Sequence, residues 1–133
     1  METANPAKSL IPRQIKPENI GFSGAKSPAT MDESSKLFRW DLVTAGNCSF
    51  EGVLLEIDPG GWAHFWGNLS SSGSDDSWGI LRFNFRQSNG LVLWASGSFW
   101  SPTIGNWGPW HDDFQYPAYL FDTIALVDFD SHC

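Results

Sequence analysis

Ser49-Phe50-Glu51-Gly52-Val53-Leu54-Leu55-Glu56-Ile57, Asp58-Pro59-Gly60-Gly61, Trp62-Ala63-His64-Phe65-Trp66-Gly67-Asn68-Leu69: this unbroken run decides the fold. Two stretches rich in aromatic and β-branched residues flank four residues that favour a chain reversal. Pro presets φ, Gly admits positive φ, and the Asp side chain can accept from the turn's own amides. The run predicts a β-hairpin with strands over 49–57 and 62–69.

The same pattern continues on both sides. Upstream, Phe38, Trp40 and Leu42 alternate with Arg39 and Asp41, the period-two signature of a half-buried strand, and Gly46-Asn47 turns that strand into the hairpin. Downstream, residues 70–77 read as a loop. Leu81, Phe83 and Phe85 then alternate with Arg82, Asn84 and Arg86, and Ser88-Asn89-Gly90 turns the chain back. Residues 91–99 give a further strand, weakened at Gly97, where a bulge or a close backbone approach is expected. Residues 100–117 contain Pro102, Gly105, Gly108, Pro109 and Pro117 and show no period, so they read as one long loop. Residues 123–129 are apolar on both faces and predict a central closing strand. The expected fold is all-β: a single antiparallel β-sandwich or small barrel of six to eight short strands.

Residues 1–36 differ in kind. Pro6, Pro12, Pro17 and Pro28 punctuate a polar stretch with isolated Ile11, Ile15 and Ile20. Such a segment buries too little apolar surface to offset its ordering entropy. It is expected to be a flexible or extended N-terminal arm ahead of a domain at 37–133. A sharper alternative makes it a strap that orders on a partner subunit, with residues 10–20 as the adhesive part.

Charge and composition exclude several function classes. With 8 Lys and Arg against 15 Asp and Glu the net charge is −7, which disfavours nucleic acid and anionic lipid as partners. No apolar run reaches the length of a membrane span, and no secretory signal is visible, so the expectation is a soluble protein, cytoplasmic or exported by a non-signal route. The two cysteines, Cys48 and Cys133, lie outside any C-x-x-C or metal-ligand spacing. Joined, they would close a large loop and stabilise by about 4 kcal/mol; free thiols are the alternative, and the sequence does not choose between them.

Phe38-x-Trp40, Gly46-x-Cys48, the turn at Gly61, Asp75-Asp76-Ser77-Trp78 and Phe99-Trp100-Ser101-Pro102 together resemble a family of small uncharacterised β-domain proteins of bacteria and fungi. The resemblance covers residues 37–133. It implies a compact β domain and brings no activity, cofactor or catalytic residue with it.

Candidate chemistry gathers in the long loop. Trp100, Trp107, Trp110, His111, Asp112 and Asp113 combine indoles, which can stack on a pyranose ring, with carboxylates and imidazoles that can bond its hydroxyls. The competing reading folds the three Trp inward as a mini-core. Asp75-Asp76 and Asp112-Asp113 offer hard oxygen ligands to Ca²⁺ if their loops meet, although Asx turns account for adjacent Asp as readily. His64 shares a face with Trp62 and Trp66 and reads as a wall histidine. His132 beside Cys133 is discounted as a metal pair. Glu51, Glu56, Asp112 and Asp113 are the carboxylates a glycosidase would need, but no nucleophile elbow, zinc motif or phosphate loop accompanies them. The leading expectation is therefore a non-enzymatic, lectin-like recognition domain for a saccharide or similar polar ligand. The alternatives are an assembly protein that uses the arm to oligomerise and a membrane-active toxin that seats exposed Trp at a lipid interface.

Overall fold

In the structure, a computed structural model, residues 19–31, 34–73, 76–104 and 107–133 are described. Two antiparallel sheets pack face to face, and among the described residues no barrel closes. Sheet I runs β1(Ile20–Phe22), β10(Leu126–His132), β6(Gly79–Arg86), β7(Val92–Ala95), with β8(Phe99–Trp100) also on β6. Sheet II runs β2(Thr30–Met31), β3(Lys36–Ala45), β4(Cys48–Ile57), β5(Trp62–Ser71), β9(Gly108–Gln115).

The hairpin is β4–β5, with Ile57 opposite Ala63. Its turn is held as the turn chemistry requires: Asp58 Oδ1 accepts from the amides of Gly60 at 2.9 Å and Trp62 at 3.1 Å. Gly61 has φ +93°, and a Cβ there would lie 2.8 Å from the Tyr116 carbonyl, so the chain needs glycine at this point. Tyr116 anchors the turn from the end of β9, its amide donating to Gly61 O at 2.9 Å and its hydroxyl donating to Asp58 O. Burial, reinforced by the charge of Asp58, pushes the Tyr116 phenol up to about 12.

Alternation along the strands fills the space between the sheets. Phe38, Trp40, Phe50, Leu55 and Phe65 from sheet II meet Phe83, Phe85 and Phe129 from sheet I, all essentially buried. The rings pack edge-on or tilted, as in Trp40–Phe129 at 5.0 Å and Phe65–Phe83 at 5.3 Å, the arrangement that aromatic quadrupoles favour.

Four features depart from the sequence reading. The described strands number ten, because two precede residue 37, the 91–99 strand divides into β7 and β8 around Gly97, and the expected loop contains β9. The domain boundary placed at residue 37 falls inside the fold, since β1 pairs with β10 and β2 with β3. Trp40 Nε1 also donates to Gly24 O at 2.9 Å, so residues 19–31 strap onto their own domain. Residues 10–18, the rest of the adhesive segment, lie outside the described residues. The closing strand starts later than expected, at Leu126, after a short 3-10 helix, Ala118–Thr123. It is central, between β1 and β6, but its outward face is polar: Asp128 accepts from Asn84 Nδ2 at 2.8 Å and from Arg86 Nε at 2.5 Å.

Cys48 and Cys133 are joined in a disulfide with Cα atoms 6.0 Å apart, inside the usual range for a bridge. It ties the start of β4 in sheet II to the residue that follows β10 in sheet I.

Candidate functional site

The outward face of sheet II carries the most exposed chemistry. On β5 the residues that alternate with buried Ala63 and Phe65 are Trp62, His64 and Trp66. Trp62 is 44% and Trp66 37% exposed, although either indole would stabilise the fold more if it were covered. Across the strand pair His64 faces Asp113 and Trp66 faces His111. His64 Nδ1 lies 2.7 Å from Asp113 Oδ1. An ionised carboxylate only accepts, so Nδ1 carries the proton and the neutral ring keeps its lone pair on Nε2. The indole of Trp62 lies nearly parallel to the His64 ring, 6.4 Å away at 10°, which restrains the imidazole from a second side.

A glycine-bearing bulge shapes a groove on this face. In β4, Gly52 and Val53 together oppose the single Gly67 of β5, a β-bulge with Gly52 at φ +63°. Gly67 is required from below: a Cβ there would meet the Phe50 ring at 2.6 Å. Phe50 in turn packs on Trp110 at 5.7 Å. With no side chain rising from Gly52, an open groove of about 550 Å³ forms, walled by Trp66, Asn68, His64 and, from β9, Pro109, His111 and Asp113.

The residues that the sequence grouped as one aromatic loop are thereby separated. Trp100 sits on β8 in sheet I, its ring filling the space beside Gly79. Trp107 is exposed at 63%, ahead of β9 and apart from the groove walls. Trp110 points inward and is 8% exposed, edge-on to Phe65 at 5.0 Å, so it belongs to the core. Asp112 follows Trp110 on the inner side of the edge strand and accepts from the Asp113 amide at 2.8 Å. His111 and Asp113 present their side chains to the groove, and the largely buried Trp110 also lines it. There His111 and Asp113 join His64, whose acid partner the sequence did not supply because it lies 49 residues away in the chain.

Asp76 and Asp113 do not meet. Asp76 accepts from Ser71 Oγ at the far end of β5, whereas Asp113 is bound seven residues back at His64, roughly 24 Å along an extended strand. Asp75 lies outside the described residues. Ligand atoms of Cys48, Asp76 and Cys133 do converge within 4.8 Å, but the two sulfurs are bonded to each other, which leaves one carboxylate.

Fold and face together define an all-β sandwich with an aromatic, histidine-bearing outer surface on sheet II. The chain belongs to a family of unknown function, DUF6294, whose model matches residues 54–133. No curated protein and no solved structure matches it. The matched segment takes in every wall of the groove except Gly52. Among the described residues no helix is long and apolar enough to cross a membrane.

Proposed function

We propose that this is a non-enzymatic recognition domain that holds a saccharide or similarly polar ligand on the outward face of sheet II. The observation that carries the reading is the groove itself. Two exposed indoles on one strand flank an imidazole–carboxylate pair, with a second imidazole alongside. An indole face suits the C–H face of a sugar ring, and fixed polar groups next to it select hydroxyl positions. The contact surface moves from the Trp100–Trp110 segment to Trp62 and Trp66, with His111 and Asp113 kept. No hydroxyl or thiol nucleophile is among the described groove walls, which favours binding over covalent catalysis. The disulfide supports an oxidising compartment.

The test is a glycan-array screen of the full chain beside a Trp62→Ala/Trp66→Ala variant. Specific binding by the wild type, lost in a variant of unchanged thermal stability, is the expected result. A blank array from well-folded wild type, or binding that survives the double substitution, removes sheet II as the recognition face.

A further inference from the structure

We infer that His64 and His111 form a binding site for one divalent transition-metal ion, zinc or copper, with Asp113 as the group that orients His64. The inference goes beyond the recognition reading and does not depend on it.

Register supplies the first argument. His64 opposes Asp113, and Trp66 opposes His111, so the two histidines are diagonal neighbours on one face of an antiparallel pair. Such positions are roughly 7–8 Å apart at the backbone, a span that one ion can close by accepting a nitrogen at about 2.0–2.1 Å from each ring.

The His64–Asp113 contact supplies the second. Metal-bound imidazoles nearly always donate their other N–H to a carboxylate or carbonyl, which fixes the tautomer and raises the basicity of the ligating nitrogen. With Nδ1 on Asp113 Oδ1 at 2.7 Å, His64 meets that condition without a metal, and its Nε2 lone pair is the one left for coordination. The parallel indole of Trp62 holds the ring in place. His111 lines the same groove, which is open enough for water or a ligand atom to fill the remaining positions. Imidazole nitrogen selects zinc, copper or nickel over calcium and magnesium, so this site differs in chemistry from an acidic calcium loop. The third histidine, His132, packs edge-on against Trp100 in the other sheet, ring centroids 6.2 Å apart.

The test is calorimetric titration of the untagged, disulfide-intact full chain with Zn²⁺ and, separately, Cu²⁺. The variants are His64→Gln, His111→Gln, Asp113→Asn and His132→Gln, with near-UV circular dichroism verifying each fold. One ion per chain is expected, with copper tighter than zinc. Affinity should fall at least tenfold in either His64→Gln or His111→Gln, fall about 10–100-fold in Asp113→Asn, and stay unchanged in His132→Gln. The absence of saturable binding, or binding that survives both histidine substitutions, overturns the site. Wild-type affinity in Asp113→Asn overturns the orienting role of the carboxylate. Metal alone is the probe, so a blank glycan array leaves this outcome unaffected, and a failed titration leaves the recognition reading standing.

Discussion

The two outward faces of the sandwich are built from the same kind of alternating strand and finished in opposite ways. On sheet I the central outward residues satisfy one another. Asp128, 1% exposed, is held by Asn84 and Arg86, and Arg86 donates onward to Gly90 O at 2.9 Å. On sheet II the corresponding central positions carry Trp62, His64 and Trp66, exposed or half-exposed, beside His111 and Asp113. A closed polar network holds a sheet together; exposed indoles around a half-exposed imidazole–carboxylate pair contribute little to stability and leave a surface open. The difference is what singles out sheet II in the proposed reading.

The largest effect that sharpens this contrast is expected at Trp110, which shares its strand with the groove residues but faces inward. Trp110→Ala should lose about 3–5 kcal/mol in chemical denaturation, while Trp107→Ala, three residues earlier and exposed, should stay within about 0.5 kcal/mol. Equal effects would break the inner–outer division of β9. Next comes the polar face. Asp128→Ala strands a partly buried guanidinium and should cost about 3 kcal/mol, whereas Asp113→Asn on the other sheet should cost no more than about 1 kcal/mol, because that pair is screened by solvent. A reversal of that order would make sheet II the structural face.

A smaller, pH-dependent effect belongs to the Asp58–Gly61 turn that presents Trp62. The Tyr116 phenol holds its proton more tightly in the folded chain than in the unfolded one. Its contribution to stability is therefore fully present below pH 10 and lost as pH rises through about 12. Melting temperature should fall across that window more steeply in wild type than in Tyr116→Phe. Lys36 titrates with the opposite sign: burial lowers its ammonium below 10.5 despite the nearby charge of Asp122, so its share of stability grows as pH rises toward 10.5, and the Tyr116→Phe comparison cancels it.

The hairpin was legible in the sequence because its causes are local: Asp58, Pro59, Gly60 and Gly61 specify a turn whatever surrounds them, and the flanking alternation names the inner face. The strand at 79–86 is legible for the same reason, and the one at 36–45 as far as Trp40; beyond it the alternation slips, so that Leu42 is exposed and Val43 is buried. β9 was not, because Gly108 and Pro109 signal a break and Asp112 spoils the apolar side of an alternation that Trp110 and Phe114 otherwise keep. Its identity comes from pairing with β5, a long-range contact that no local pattern encodes. β1 was hidden for a related reason: three residues carry too short a pattern, and Gly21 is needed only because the Thr44 carbonyl of β3 lies against it. At the site, residue types were readable and grouping was not. His111 and Asp113 were picked out for their chemistry, but placed among indoles that the fold sends elsewhere. His64 reads as a wall histidine because its partner, Asp113, is brought to it only by the β5–β9 register. Gly52 and Gly67 gave a detectable signal as paired glycines inside strand patterns, the mark of a bulge.

The most direct test of the functional face is a two-dimensional ¹⁵N NMR titration that follows the indole N–H signals of the 8 Trp residues as the best array ligand is added. Shifts concentrated at Trp62 and Trp66, with Trp40 and Trp78 unmoved, are the predicted result. Shifts confined to Trp100 and Trp107, with Trp62 and Trp66 silent, would contradict it and return the binding surface to the segment between the sheets' edge strands.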